Sequence, residues 1–495
     1  MNTLAALTRN AHERYADHPA VYDGSAWLTF ADLGARARGV AARLRERGVG
    51  PGDRVVIALR NRAEILQIEH ALFLSGLVRV AVSSRLHGRE IAGIARDCAA
   101  ALVVCEPEHV SALEWPHISS ADLDELTAPG PELPAVSEPG PGDVAALMYT
   151  SGTTGEPKGA IVTHRQWLAM IGAIRERLPV RGPGDVVVHA APMSHFGGSI
   201  GSAYTFSGAA AVPLPKFGAD VVLGAVEEFR ATVLPLVPTM LKELTTAAEL
   251  GRYRLRSLTA VPYGGAAISA PSALRAAGAF GEVLYQCYGL SEALAPLTVL
   301  PPEAHMRAGD SRLASAGRAV PGVEIEIVDP VGGIGEVVVR GAPVMPGYWN
   351  RPEQSAEVLD QDGRFRTGDI GRLDEDGYLY LVDRRRDVIV SGGFNVYPGE
   401  VERAISELPD VREVVVFGIP HERWGEAVAA AVVLAPGSRL TGEDVVQACR
   451  DRLAAYKKPL HVDLVGELPM SSTGKINRRE VRDRYWSVRS RNVGD

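Results

Sequence analysis

Three buried strand candidates, separated by helix candidates, constrain the fold of this chain most. The runs RVVIAL (54–59), VRVAV (78–82) and ALVVC (101–105) are short and rich in valine, as is typical of strands covered on both faces. Between them, AEILQIEHALFL and REIAGIARDC have apolar residues at helical spacing. Strands that alternate with helices form parallel sheets covered by helices, so we predict an α/β fold with doubly wound sheets.

The chain's 495 residues exceed what one hydrophobic core normally organises, so two or more domains are expected. Thr29 and Asp32 are placed to cap a helix that runs to Leu44. The stretch from 107 to 141 lacks periodicity and is predicted to be a surface connection. The valine-rich runs VEIEIV and IGEVVVRG then indicate a β-rich subdomain. Beyond Asp383 a compact α+β unit is predicted, with helices PGEVERAISEL and GEDVVQACRDRLAAY and strands VREVVVFG, AVAAAVVL and HVDLVG.

Composition excludes several classes of partner and cofactor. Lys and Arg total 52 against 60 Asp and Glu, a net charge of -8, which does not favour nucleic acid. The four cysteines are scattered without a CxxC pair, so neither a zinc site nor a disulfide framework is expected. The N-terminus lacks a secretory pattern and no apolar run reaches membrane-spanning length. We therefore expect a cytoplasmic protein without a membrane partner.

The stretch MYTSGTTGEPKG, residues 148–159, has the composition of a phosphate-binding loop. Glycine lets backbone N–H groups approach an anion, hydroxyls donate to phosphate oxygens, and lysine adds a positive charge. The loop does not fit the P-loop pattern, because no Gly-Lys-Ser/Thr ends it and AIVTH begins another strand. A polar surface loop is the alternative interpretation. The residues concerned are Thr150, Ser151, Gly152, Thr153, Thr154 and Lys158.

This loop closely resembles the nucleotide loop of the adenylate-forming superfamily, which includes acyl- and aryl-CoA synthetases, luciferases and adenylation domains that load carrier proteins. The resemblance spans nearly the whole chain. It implies an N-terminal domain (1–383) that binds ATP and the acid, a hinge (384–388), and a small C-terminal domain (389–495) that rotates as a catalytic lid. The further motifs, in the superfamily's order, are APMSHFGG (191–198), YGGAAIS (263–269), QCYGLSE (286–292), RTGD (366–369), DRRRDVIVSGGFNVYP (383–398) and PMSSTGK (469–475).

The resemblance implies an AMP-forming ligase. A carboxylic acid attacks the α-phosphorus of ATP, pyrophosphate leaves, and the acyl group passes from the adenylate to the thiol of CoA. Mg²⁺, ATP and CoA are the implied cofactor and co-substrates, and the chain is expected to act as a monomer or homodimer.

Four residues are implied to take part in the chemistry. Lys475 would bridge the substrate carboxylate and the α-phosphate, and Ser291 would reach the α-phosphate. Glu292 would be the Mg²⁺ ligand, since magnesium prefers oxygen ligands. His195 would gate the acid pocket. Alternatively, Lys475 is an ordinary exposed lysine, Glu292 is a solvated surface residue, and His195 is a packed histidine.

The nucleotide is implied to lie against a second group of residues. Tyr288 would stack on adenine, and Asp369 would accept hydrogen bonds from both ribose hydroxyls with help from Arg384. Alternatively, Tyr288 is a core aromatic residue, Asp369 is a turn residue, and Arg384 is one member of an exposed basic triplet. The backbone of Gly265, Ala266, Ala267 and Gly289 would line the site.

The acid pocket is implied to be framed by five residues: His195, Phe196, Gly197, Gly264 and Gly289. Members that activate amino acids have an Asp matching Phe196, so an α-amino acid is disfavoured here. The small residues leave room for a planar aryl group or a modest acyl chain, or else they only pack helices.

The hinge residue of the superfamily matches Arg386, a departure from the usual Asp or Lys. Gly392 and Gly393 would let the pantetheine arm of CoA pass, although a hairpin turn explains them equally well.

Three other functions remain open from the sequence. The acyl adenylate could be passed to a carrier-protein pantetheine arm or an amine, or the activated group could be an inorganic oxyanion such as nitrite in secondary metabolism. A kinase-like enzyme would use the loop to transfer the γ-phosphate and would release ADP. A nucleotide-binding regulatory module would be expected to lack Lys475 or Glu292, and both are present.

Overall fold

The computed structural model describes residues 1–130, 138–151, 157–247, 250–266, 268–306, 309–384, 387–391, 394–421, 424–471 and 475–489, with the backbone alone at 150, 151, 384 and a few other positions. The chain divides into two compact units, and the predicted mixed α/β fold class is confirmed. The first unit comprises Met1–Ala267, Leu274–Glu324 and Val339–Phe365, and the second comprises Ile268–Ala273, Ile325–Val338 and Arg366–Asp495.

The predicted alternation of strands and helices near the N-terminus is confirmed. The helix after Thr29 begins with a reciprocal cap, because the Asp32 N–H donates to Thr29 Oγ1 at 3.1 Å and the Thr29 N–H donates to Asp32 Oδ2 at 2.9 Å. The elements are α1 Leu4–Arg14, β1 Pro19–Tyr22, β2 Trp27–Thr29, α2 Phe30–Glu46, β3 Arg54–Ala58, α3 Ala63–Leu74, β4 Val78–Ala81, α4 Gly88–Asp97, β5 Leu102–Cys105, α5 Pro107–Val110, β6 His117–Ser119 and α6 Leu123–Leu126.

The prediction of an irregular connection over 107–141 was wrong in part. Strand β6 pairs in parallel with β5 as the outermost strand of a sheet, and Ile118 is its one buried residue. A strand of three residues with one buried side chain is too short to show a period of two in the sequence.

The remaining elements up to residue 319 continue the α/β pattern. The expected strand after the glycine-rich loop is present as β8. These elements are β7 Val144–Ser151, β8 Pro157–Thr163, α7 His164–Arg177, β9 Val186–His189, α8 Phe196–Thr205, β10 Ala210–Pro213, α9 Ala219–Glu228, α10 Pro238–Thr246, β11 Val261–Gly264, α11 Ala270–Phe280, β12 Leu284–Tyr288, β13 Thr298–Leu300 and β14 Arg318–Ala319.

Three sheets organise these strands. The largest has the order β6-β5-β3-β4-β7-β8 and is parallel except for the β7–β8 hairpin. The other two have the orders β2-β1-β10-β9 and β11-β12-β13-β14, and bridges from Val233 to Val187 and Ala260 join them. Strands β11 and β12 are parallel, so their carboxyl ends meet at one edge, where α/β folds place ligands.

Past residue 319 the chain becomes richer in β-strand, as predicted. One sheet has the order β15-β16-β17-β18, and the other has the order β20-β19-β22-β21 with β23 on β22. The elements are β15 Val323–Val331, β16 Ile334–Gly341, α12 Pro352–Val358, β17 Phe365–Leu373, β18 Leu379–Arg384, β19 Ile389–Ser391, β20 Phe394–Val396, α13 Pro398–Ser406, β21 Val411–His421, β22 Gly425–Leu434, α14 Gly442–Arg450, β23 His461–Leu464 and α15 Arg478–Arg489.

Helix α14 is shorter than the sequence indicates. Its apolar pattern continues to Tyr456, but the helix ends at Arg450 and a turn follows. The turn leads the chain to β23, which pairs in parallel with β22. This tertiary pairing ends the helix, since the local sequence pattern alone would extend it.

Two further expectations can be compared with the structure. No helix in the described ranges is both long and apolar enough to span a bilayer.

All four cysteines are unpaired thiols in the interior. Burial raises their pKa values to about 11 for Cys98, Cys105 and Cys449 and to about 12 for Cys287.

Candidate functional site

The predicted phosphate loop connects the two strands of a hairpin. Strands β7 and β8 are antiparallel, with Thr150 opposite Lys158 and Ser151 opposite Pro157. Gly152, Thr153 and Thr154 lie outside the described residues, and Thr150 and Ser151 are described by their backbone alone. The hairpin therefore fixes both ends of the loop and places Lys158 at its exit.

A partly buried chain of hydrogen bonds anchors the base of this hairpin. The Tyr149 hydroxyl donates to Asp97 Oδ2 at 2.5 Å, and Arg351 Nη2 donates to Asp97 Oδ1 at 2.6 Å. Burial, and then the hydrogen bond to Asp97, raise the pKa of Tyr149, so the phenol stays protonated as the donor. Gly159 is opposite Tyr149, and a Cβ there would lie 3.1 Å from the tyrosine ring, closer than an ordinary contact.

Tyr348 contacts two of the predicted site residues. The Lys158 ammonium nitrogen lies 5.5 Å from the centroid of the Tyr348 ring, within the range of a cation–π interaction. The Tyr348 hydroxyl donates to Glu292 Oε1 at 3.1 Å. Burial and the neighbouring Glu292 carboxylate raise the pKa of the Tyr348 phenol, which keeps this donor protonated. The structure thus brings Lys158 to the ring face and Glu292 to the hydroxyl of one side chain.

The backbone around Tyr348 is paired on both sides. We call residues 343–349 the bridging segment. On one side the Met345 N–H donates to the Glu292 carbonyl at 2.8 Å, and on the other the Trp349 N–H donates to the Gly159 carbonyl at 2.8 Å. An antiparallel bridge also joins Tyr348 to Ala160. The bridging segment therefore spans from the Glu292 loop to the exit of the phosphate loop.

Ser291 and Glu292 lie in the turn that follows β12, and both are half-buried. In the described ranges no cluster of three His, Cys, Asp or Glu side chains could hold a metal ion by itself. Mg²⁺ bound with a nucleotide normally uses only one or two protein carboxylates, together with phosphate oxygens and water. Glu292, an oxygen donor held in place by Tyr348, fits that requirement.

Tyr288 and Gly289 occupy the carboxyl end of β12. Tyr288 is 8% exposed and is paired with Thr298, so most of its side chain is covered. Gly289 lies so close to Ala295 that a Cβ would come within 2.5 Å of the Ala295 Cα. Glycine at 289 is therefore required by packing, whatever else it contacts.

The acid-pocket candidates Gly264 and Phe196 lie in contact. A Cβ at Gly264 would come within 3.1 Å of the Phe196 ring, and within 2.3 Å of the Cys287 carbonyl. Gly265 follows with φ +85°, a conformation that favours glycine, and it is exposed together with Ala266. Ala267 lies outside the described residues. Two exposed residues after β11 thus lie next to the covered contact between Gly264 and Phe196.

His195 precedes the first residue of α8. Ser194 Oγ and His195 Nδ1 are 2.7 Å apart, and the imidazole is half-buried. A Cβ at Gly197 would lie 2.8 Å from the Ala191 carbonyl, so close packing of α8 on the preceding turn accounts for this glycine. For Gly197 the packing explanation is supported by the structure, while its role in the pocket stays a prediction.

Two residues in this region were missed by the sequence analysis. Asn61 donates to the carbonyls of His189 and Ala191 at 2.9 and 3.0 Å, and it accepts from the Met193 N–H at 2.8 Å. It holds the backbone that leads to His195. Tyr348 is the other, and its segment GYWNRP shows only an isolated aromatic pair between turn residues. Neither has a local sequence signal, because their partners are distant along the chain.

Within the second unit, Asp369 and Arg384 form a cross-strand pair. They are directly opposite each other in the antiparallel β17–β18 ladder. Asp369 is 5% exposed, and its N–H donates to Thr367 Oγ1 at 3.0 Å. Gly368 before it has φ +71°, a backbone conformation that favours glycine. The two predicted ribose-binding residues are therefore neighbours, although the Arg384 side chain is not described.

Lys475 is exposed at the end of the PMSSTGK motif. Its N–H donates to Ser471 Oγ at 3.1 Å, and its carbonyl accepts from the Ser471 N–H at 2.6 Å. The backbone of the lysine is thus closed into a loop with Ser471.

The predicted hinge and thiol-tunnel residues Arg386, Gly392 and Gly393 lie outside the described residues. The flanking strands β19 and β20 pair antiparallel, with Ser391 opposite Phe394. This pairing agrees with the hairpin alternative for the two glycines.

Comparisons with known proteins identify two family matches. Residues 7–349 match the family of AMP-binding enzymes, and residues 400–475 match the AMP-binding enzyme C-terminal domain. The first match alone covers more than half of the chain.

Three similar proteins differ in the acceptor that their names state. A fatty acid–[acyl-carrier-protein] ligase, ScoC, from Streptomyces coeruleorubidus is 33% identical, over 100% of this chain and 98% of its own length. A feruloyl-CoA synthase from an Amycolatopsis species is 36% identical, over 94% of this chain and 96% of its own length. The structure of the amide bond synthetase McbA from Marinactinospora thermotolerans aligns with a TM-score of 0.88 at 32% identity, covering 97% of this chain and 99% of McbA.

Proposed function

The chain belongs to the family of AMP-binding enzymes, and from this premise we propose that it is an ATP-dependent acid–CoA ligase. A carboxylate oxygen attacks the α-phosphorus of ATP, the bond to the bridging oxygen of pyrophosphate breaks, and an acyl adenylate forms. The sulfur of CoA then attacks the acyl carbon, AMP leaves, and the thiol proton is lost to solvent.

One observation supports this proposal above the others: a cation and a carboxylate are held by a common residue next to the glycine-rich hairpin. Lys158 and Glu292 both contact Tyr348, and Lys158 lies near the start of β8, the strand that follows the hairpin loop. A triphosphate needs positive charge for its oxygens and an anchor for its metal ion, and these two side chains supply both.

The roles of the remaining predicted residues follow from membership of the family. When bound, Mg²⁺ would neutralise charge on the phosphate oxygens, with Glu292 as its protein ligand. Ser291, next to Glu292, would donate to the α-phosphate. Asp369 and Arg384, opposite each other in β17–β18, would hold the ribose. Lys475, on its exposed loop, would supply positive charge to the reacting oxygens.

The domain division is part of the proposal. We assign acid and nucleotide binding to residues 1–383 and the lysine loop to a small domain (389–495), with 384–388 as the hinge and Arg386 as its central residue. Gly392 and Gly393 would line the path of the pantetheine arm.

We also propose that the acid has no α-amino group. The position that would clamp an α-amine is Phe196, whose ring packs on Gly264. An apolar ring there leaves an ammonium group without a partner, and burying an unpaired charge is costly. A planar aryl acid or a modest acyl chain fits better.

A second candidate function keeps the adenylate and changes the acceptor. ScoC and McbA are similar over nearly the whole chain, and their names state a carrier protein and amide-bond formation. This similarity favours a carrier-protein thiol or an amine as the alternative acceptor.

The test measures pyrophosphate release across a panel of aryl, short and medium acids, with and without CoA. AMP and thioester would be followed by mass spectrometry. We expect acid-dependent pyrophosphate together with acyl-CoA. Pyrophosphate and AMP without a thioester would reject CoA and favour the second candidate, while ADP in place of AMP would reject adenylation altogether.

A further inference from the structure

Tyr348 is positioned to do more than fill space between two loops. Its hydroxyl reaches Glu292 and its ring face lies under the Lys158 ammonium. The side chain is half-buried, so part of it is covered by protein and part is accessible. Its two contacts are with the residues proposed to meet the metal ion and the phosphates.

The position of Tyr348 is fixed by contacts other than these two. Its N–H donates to Ser355 Oγ at 2.8 Å, and the Ser355 hydroxyl donates in turn to the Arg351 carbonyl at 2.7 Å. Gly347 before it has φ +153°, and a Cβ there would lie 3.0 Å from Ser355 Oγ. The bridging segment is also paired on both sides. The tyrosine is therefore held from its own backbone, independently of Lys158 and Glu292.

The two contacts use different parts of the side chain. A phenol O–H donated to a carboxylate fixes the direction of one oxygen, and leaves the second oxygen of Glu292 for another ligand. The aromatic face attracts an ammonium group without neutralising it, so Lys158 keeps its full positive charge for an anion. In the described ranges Lys158 has no ion pair with a carboxylate.

We infer that Tyr348 is a positioning residue for the nucleotide: its hydroxyl aligns Glu292 for Mg²⁺ and its ring aligns Lys158 for the phosphates of ATP. This inference rests on the proposed function. It deepens that proposal by naming a residue that makes metal binding and phosphate binding depend on each other.

The hydroxyl and the ring can be separated by two substitutions. Tyr348→Phe removes the hydrogen bond to Glu292 and keeps the ring under Lys158, whereas Tyr348→Leu removes both contacts. Neither change affects the backbone bonds of the bridging segment, and thermal unfolding would confirm that both variants are folded. Tyr380→Phe is the matched control, because Tyr380 donates to Asp374 Oδ2 at 3.0 Å in a turn of the second unit.

The readout is ATP binding rather than turnover, measured by calorimetry in EDTA and in saturating MgCl₂. For the wild-type chain we expect Mg²⁺ to tighten ATP binding. In EDTA, Tyr348→Phe is expected to bind ATP as tightly as wild type. The factor by which Mg²⁺ tightens ATP binding is expected to be about tenfold smaller in this variant, the value of one hydrogen bond to a charged group. Tyr348→Leu is expected to bind more weakly in EDTA as well, and Tyr380→Phe to match wild type in both.

Two results would overturn the inference while leaving the proposed function intact. In the first, Mg²⁺ tightens ATP binding to Tyr348→Phe as much as to the wild-type chain. In the second, Tyr348→Phe binds ATP more weakly by the same factor in EDTA and in MgCl₂, which indicates a merely structural role. A wild-type chain that binds no ATP would instead reject the proposed function itself.

Discussion

Arg478 ties together carboxylates on both sides of the predicted hinge. Its Nη1 lies 3.3 Å from Asp383 Oδ1 and 2.9 Å from Asp387 Oδ2, and its Nη2 lies 2.8 Å from Glu402 Oε1. Asp383 also accepts from the Gly399 N–H at 2.6 Å. One guanidinium, three positions beyond Lys475, thus joins β18, Asp387 within the predicted hinge, and α13.

Replacing this arginine should destabilise the second unit. Arg478→Met leaves three carboxylates near one another without their common cation, and breaking such a network costs about 3 kcal/mol. Urea unfolding followed by circular dichroism would measure the loss.

The neighbouring arginine provides the control. Arg479 is largely exposed and lies 3.6 Å from Asp483 in a surface pair of the same helix, so Arg479→Met should cost less than about 0.5 kcal/mol. Equal effects of the two substitutions would contradict a special role for Arg478.

Lys475→Ala should separate the two half-reactions. Loss of one positive charge at the reacting oxygens is worth on the order of 3 kcal/mol, so pyrophosphate release should fall at least about a hundredfold. A supplied acyl adenylate should still react with CoA at nearly the wild-type rate. The control is the exposed Lys216→Ala in the first unit. If a folded Lys475→Ala variant lost both half-reactions equally, the assigned role would be wrong.

Buried histidines should make the first unit sensitive to mild acid. Burial, and then nearby Arg38, lower the pKa of His12 to about 4, and burial alone lowers the pKa of His189 to about 4, from an ordinary 6.5. Both are neutral when folded and take up protons when unfolded. Their contribution to stability is therefore present above about pH 6.5 and is lost as the pH falls toward 4.

At about pH 5.5 each of these histidines should cost the folded state about 1 kcal/mol relative to about pH 7.5. Urea unfolding at the two pH values would measure this loss of stability, and His189→Leu should make the loss smaller by about 1 kcal/mol. The control is His117→Leu, because His117 is exposed. If His117→Leu reduced the loss equally, the explanation would be contradicted.

The sequence predicted the parts of the fold whose causes are local. The capping pair Thr29 and Asp32, and the apolar strands β3 to β5, follow from neighbouring residues alone. Strand β6 was missed because three residues are too few to show a strand period. The end of α14 was predicted wrongly because the chain leaves the helix to pair β23 with β22, which the local pattern does not show.

The candidate site divides in the same way. Lys158, Glu292 and Asp369 are recognisable because they lie in dense motifs. Tyr348 is not, since its hydrogen bond spans 56 positions and its importance is visible only where the bridging segment pairs with both loops.

The most direct test of the account follows the oxygen atoms of the acid. Both carboxylate oxygens of an accepted acid would be labelled with oxygen-18, and the masses of the products would be measured by mass spectrometry after one turnover. Attack of the carboxylate on the α-phosphorus predicts one labelled oxygen in AMP and none in pyrophosphate, whichever acceptor takes the acyl group. Label in inorganic phosphate, accompanied by ADP, would contradict adenylation and indicate transfer of the γ-phosphate.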